Sequence, residues 1–180
     1  MTDPFVPITE DDKKRYKQTY ENWLAMGGAS FQTIANGKVF SEIIYTHSNR
    51  MTVNVIQMRD ATDRILLSAR LALDAGAQQT LLSLPDEMQV GLANELTLLL
   101  VQLGVQFNFI LRDQKLLQAI VIERTLFGES LNKQIFYDAL FRIIDAIVAV
   151  QTKFREKLGM LAASKGASGN APESGTSFYV

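Results

Sequence analysis

The chain has 180 residues, 47% of them apolar and 21% charged, and a formal net charge of -1; this is ordinary globular usage, with no excess of either sign to draw it onto nucleic acid or an anionic bilayer. It contains no cysteine, which excludes disulfides, thiolate nucleophiles and cysteine zinc sites. For this length the expectation is one compact domain over residues 9–159, between an N-terminal tail at 1–8 and a disordered C-terminal tail at 160–180.

The opening "MTDPFVPITEDDKKRYK" has no apolar stretch after a basic start, and no later window holds the roughly 18 uninterrupted apolar residues of a membrane span. A cytoplasmic protein without a membrane partner is expected. In "PITEDDKKRYKQTYENWLAMGG", Thr9 followed three residues later by Asp12 is an N-cap signature. Tyr16, Tyr20, Trp23 and Leu24 recur at helical spacing behind it, and Gly27-Gly28 suits a left-handed turn that ends the helix. The charge run 10–15 reads as its solvated face.

"KVFSEIIYTHSNRMTVNVIQMRDATDRILLSARLAL" predicts three antiparallel strands, because short β-branched and aromatic runs are split by "THSNR" and "RDATD". In "MTVNVIQM", Thr52, Asn54 and Gln57 read as wet positions against Val53, Val55 and Ile56. The third run, 65–73, suits a helix equally well. "LPDEMQVGLANELTLLLVQLG" returns to a helical period, with Met88, Leu92, Leu96, Leu99, Leu100 and Leu103 on one stripe and Gly104 at the close.

"VQFNFILRDQKLLQAIVIERTLF" predicts a hairpin: Val105, Phe107, Phe109 and Leu111 alternate with Gln106, Asn108 and Ile110 up to the polar turn. Phe107 and Phe109 are expected in the core, and the returning run 116–126 suits an inner strand. A last helix begins near "SLNKQ" and runs to about Leu158, with Gly159 at its end. Beyond it "AASKGASGNAPESGTSFYV" is too poor in apolar groups to offset the entropy of ordering, its terminal "SFYV" excepted. The order α-β-β-β-α-β-β-α predicts a two-layer α+β fold with an antiparallel sheet and three helices.

Chemistry-bearing clusters are sparse. His47 is the single histidine, in a turn with no acid near it in sequence to orient the ring. Asp60, Asp63 and Asp113 lack loop-ligand spacing, so neither a metal site nor a cofactor is expected. The glycines match no phosphate-cradling motif. Glu123 and Arg124 are neighbours on a strand and face opposite sides, so they do not act together on one substrate. These observations point away from an enzyme and from a nucleic-acid partner.

The last helix stands out. Residues set at about 100° intervals leave a polar sector of roughly 90°, where a surface helix needs an apolar stripe only a little wider than about 100°. Ile135, Phe136, Ala139, Ile143, Ile147, Val150 and Phe154 form one apolar face, assigned to the sheet. Tyr137, Phe141, Ile144 and Val148 form a second on the opposite flank, at a spacing that calls for another partner. That partner is the 85–103 helix of the same chain, a second subunit or a client peptide.

"ENWLAMGG", which closes the first helix, and "VIERTLFGESLNKQIFYDALFRIIDAI", which leads from strand to last helix, give the chain a further likeness. Over roughly residues 10–158 it resembles the type III secretion chaperone-like superfamily, which includes YbjN-type proteins and uncharacterised archaeal relatives. The turn from Gly128 to Asn132 carries part of that likeness. The resemblance implies a small α+β protein, usually dimeric, that holds another polypeptide and has no catalytic residues. Two function classes follow. The first is a non-catalytic, homodimeric protein-interaction module acting through Tyr137, Phe141, Ile144 and Val148. The alternative is a small-molecule binder or enzyme whose site assembles from Arg50, Arg59, Arg64 and Asp63 at strand ends.

Overall fold

The structure of the protein is a computed structural model that describes residues 8–27, 30–34, 37, 39–46, 51–59, 63–112, 116–166 and 178–179. In chain order the elements are α1 (Glu10–Met26), β1 (Ser30–Ile34), β2 (Ser41–Thr46), β3 (Thr52–Gln57), β4 (Arg64–Leu73), α2 (Ala75–Leu82), α3 (Asp86–Gln102), β5 (Gln106–Arg112), β6 (Leu116–Phe127), a 3-10 turn (Gly128–Ser130), α4 (Lys133–Gly166) and β7 (Phe178–Tyr179). The expected α+β class with an antiparallel sheet forms. Three elements are additional to the expected order: β1, α2 and β7. The start of α2 carried a local signal, since Asp74 is its N-cap and its carboxylate accepts the Ala77 N–H at 2.7 Å.

The strands run β1-β2-β3-β4-β6-β5, with β7 paired to the end of β4. The run 65–73 is therefore a strand, and β6 is an inner one as its apolar character implied. Contacts divide the chain into two compact units, Met1–Ala69 with Glu123–Ile143, and Arg70–Ile122 with Ile144–Val180. Both units draw on β4, β6 and α4.

In the first unit α1 begins as its cap predicts. The Asp12 N–H donates to Thr9 Oγ1 at 3.2 Å and the Thr9 N–H returns to Asp12 Oδ2 at 3.1 Å, a reciprocal box that satisfies two orphan donors. The other end departs from expectation, because Gly27 has φ -74° rather than a left-handed value and Gly28 lies outside the described residues. Gly27 is there for space: a Cβ would stand 2.9 Å from the Tyr137 hydroxyl. Across β2, β3 and β4 the registers Ile43↔Val55 and Val55↔Leu67 line up a row of buried side chains. Tyr20 and Leu24 of α1 and Phe136 of α4 are buried with them, the rings of Tyr20 and Phe136 stacked at 6.2 Å.

Residue parity in β3 corrects one expectation. Gln57 shares a face with Val53 and Val55, so it is fully buried, and Ile56 takes the half-buried face instead. Its amide oxygen accepts from Tyr20, whose phenol burial holds far above its usual pKa and so protonated as a donor.

In the second unit the deep stripe of α3 is Leu92, Leu96 and Leu100, while Met88 is 48% exposed and Leu99 and Leu103 are half-buried. Gly104 closes α3 at φ 67°, the left-handed conformation that favours glycine. Ile147, Val150 and Phe154 of α4 are buried as expected, whereas Ile135, on the first unit's part of the helix, is 38% exposed. Helix α4 also passes Gly159 and continues to Gly166. Met, Leu, Ala and Lys are strong helix formers, and their summed preference outweighs the roughly 1 kcal/mol that one glycine costs. The tail expected from 160 onward therefore begins as helix and ends with β7, whose Phe178 and Tyr179 pair with Leu73 and Ala72. Residues 167–177 lie outside the described residues, as do His47, Arg50, Asp60 and Asp113.

Candidate functional site

In the second unit, α2 and α3 face β5 and β6 across an apolar groove of about 570 Å3, within the range of ligand-sized clefts. Leu81, Leu82, Val90, Phe109, Leu111 and Leu117 supply its walls, and Asp86 and Gln89 are the polar groups among the lining. The groove exists because β5 alternates: Phe107, Phe109 and Leu111 take one face, and Gln106, Asn108 and Ile110 the other. Phe109 was expected in the core and is half-buried, its ring 5.5 Å from that of Phe107. Val90 and Leu111 remain 59% and 48% exposed, so apolar area at the rim is open to a partner. β5 also ends the strand order, which leaves one of its backbone rims unpaired among the described residues. Its sequence, QFNFILR, contains a single charge and no proline to blunt that edge.

Helix α4 carries the residues singled out from sequence, and they have three different environments. Tyr137 is half-buried and its hydroxyl donates to the Trp23 carbonyl near the end of α1, which also accepts the Gly27 N–H at 3.1 Å. Its ring stacks on Phe141 at 5.8 Å and 21°. Phe141 and Val148 are 47% and 44% exposed, whereas Ile144 is buried. Helix α3 meets α4 through Glu95, bonded to Lys153 at 2.8 Å and Lys157 at 2.7 Å. Lys157 lies nine residues beyond Val148, about 180° around the helix at 100° per residue. The ion pairs with α3 are thus on the flank opposite Val148.

Among the described strand-end residues, Asp63, Arg64 and Arg59 have separate roles or places. Asp63 is 9% exposed and staples the turn after β6: its carboxylate accepts the Glu129 N–H at 3.2 Å and its carbonyl the Gly128 N–H at 3.1 Å. Gly128 is required there, since a side chain would overlap the Tyr16 ring. Arg64 is exposed at the start of β4. Arg59 instead lines a separate cavity with Lys17, which sequence order alone could not bring together. Glu123 accepts from Ser68 at 3.2 Å while Arg124 approaches Asp138 at 3.8 Å, so the neighbouring charges serve different contacts. Among the described residues no cluster of three or more His, Asp or Glu has metal-binding geometry, and no helix is long and apolar enough to cross a membrane.

No curated protein matches the chain at a significant level. Among solved structures it is similar to an uncharacterized protein from Methanothermobacter thermautotrophicus, with a TM-score of 0.73 at 15% identity over 79% of this chain and 99% of that one. The archaeal likeness suggested by the sequence is thereby borne out as a shared fold. It is also similar to YbjN from E. coli, described as a candidate transcription regulator, with a TM-score of 0.46 at 17% identity over 73% of this chain and 91% of that one. Residues 16–154 match the profile of DUF2299, a family of uncharacterized conserved proteins, and the chain belongs to that family.

Proposed function

We propose that the protein is a non-catalytic interaction module, working as a homodimer, that holds a polypeptide partner in the groove between α3 and β5. The observation that carries this reading is the coincidence of an apolar groove of about 570 Å3 with an unblunted edge strand. An extended segment laid along β5 gains main-chain hydrogen bonds from the open rim, and its alternate apolar side chains enter the groove beside Val90 and Leu111. Asp86 at the lining, with Glu87 next to it in the first turn of α3, favours a partner with a basic flank. Such holding needs no reactive group, consistent with the chaperone-like behaviour that the sequence resemblance implies.

The test uses an array of short, charge-poor, extended peptides with and without a flanking lysine pair. Wild-type protein is expected to bind a subset, and Val90→Asp, at an exposed position, to bind about tenfold or more weakly, a loss of roughly 1.4 kcal/mol, with its circular dichroism unchanged. Absence of any binding by wild type, or equal binding by the variant, would sink the reading.

A further inference from the structure

The first unit contains a second cavity, of about 530 Å3, whose lining includes Lys17, Thr33, Phe40, Ser41 and Arg59. Two cations, two hydroxyls and an aromatic wall on one concave surface are the donor set for an anion with an apolar body. Arg59 is exposed and has no ion pair among the described residues. Lys17 is held loosely, 3.7 Å from Glu21, which also accepts from Thr33 at 3.4 Å. Lys13, one helical turn before Lys17, is committed elsewhere: it is buried, donates to the Met58 carbonyl at 2.9 Å and lies 5.9 Å from the centre of the Phe40 ring.

A buried hydrogen-bond chain runs inward from the cavity wall. Ser41 Oγ is 2.7 Å from the Tyr20 hydroxyl, which is 3.3 Å from Gln57 Oε1, and Gln57 Nε2 is buried with no acceptor among the described residues.

We propose that this cavity is a binding site for a small organic phosphate, with the dianion between Lys17 and Arg59 and the apolar body against Phe40. The proposal is independent of polypeptide binding by the groove. Two cations match a phosphate dianion better than a single carboxylate, and the arginine fork presents paired donors to its oxygens.

The probe is phenyl phosphate, compared by thermal shift and by calorimetric titration with benzoate and with sodium chloride at the same ionic strength, so that general screening is held constant. Phenyl phosphate is expected to raise the melting temperature above both controls. Arg59→Gln and Lys17→Gln are each expected to weaken it about tenfold or more, and the double variant to abolish the shift. Folding of the variants is checked by circular dichroism, and neither side chain is part of the core. A shift no larger than that from sodium chloride, an equal response to benzoate, or a response that survives in the double variant would overturn the proposal.

Discussion

Thr9 and Asp12 illustrate how much a pair of side chains can do at a helix start. The hydrogen bonds that Thr9 donates, first from its side chain and then from its backbone, hold the Asp12 carboxyl below its ordinary value of 3.8. A depressed folded-state pKa stabilises at pH values above the unfolded value, and that contribution is lost as pH falls through the folded one. Thr9→Ala is expected to cost about 1 kcal/mol in thermal or denaturant unfolding, and to return Asp12 toward ordinary titration when followed by NMR. Tyr137 is a second case. Its hydroxyl serves the Trp23 carbonyl inside the first unit, so Tyr137→Phe should lower stability by about 1 kcal/mol without altering the molecular mass in solution. A change in mass would assign the hydroxyl to an interface instead.

Elements are joined by equally local means. Glu95 of α3 receives the Lys153 and Lys157 ammonium groups of α4, and the hydrogen bond from Lys153, followed by that from Lys157, keeps its carboxyl below 4.5. The same carboxylate raises Lys153 above 10.5. The staple is therefore complete through the neutral range; it weakens in acid as Glu95 is protonated and in strong alkali as Lys153 loses its proton. Glu95→Gln is expected to lower the melting temperature at pH 7 in low salt, with the difference shrinking at 1 M salt and vanishing at acid pH. A difference that ignores both salt and pH would mean that Glu95 acts through packing. Because these groups are near the surface, screening keeps their contribution modest.

For the assembly, α4 and β5 make separate predictions. Phe141 and Val148 leave apolar area uncovered on α4. If that area meets a second copy, Phe141→Asp puts an unpaired charge into a dry interface, at a cost of several kcal/mol, enough to dissociate a micromolar dimer. Light scattering should then report a folded monomer with an unchanged helical signal. A dimer that persists, or a chain that unfolds, would refute this interface. Val90→Asp, at the groove, is expected to leave the dimer intact, which separates loss of assembly from loss of partner binding.

Local patterns in the sequence were enough for the capped start of α1, the strand character of β2 and β3, the β5–β6 hairpin and the burial of one face of α4, because each rests on interactions within a few residues or on a simple period. The same patterns misplaced Gln57, whose polarity suggested water while its parity put it in the core, where Tyr20 supplies a partner from a distant element. They overlooked β1, whose five residues form a strand by pairing with β2. They also grouped Arg59 with Arg50, Arg64 and Asp63 by chain position, whereas the folded chain sets Arg59 beside Lys17 and uses Asp63 to hold a turn. A cavity is made by residues far apart in the chain, and no periodicity records which of them will meet. The apolar excess of α4 was visible from the helical spacing of its residues alone. Which of its residues remain exposed depended on how far the packed arc extends: it takes in Ile144 and leaves Phe141 and Val148 uncovered.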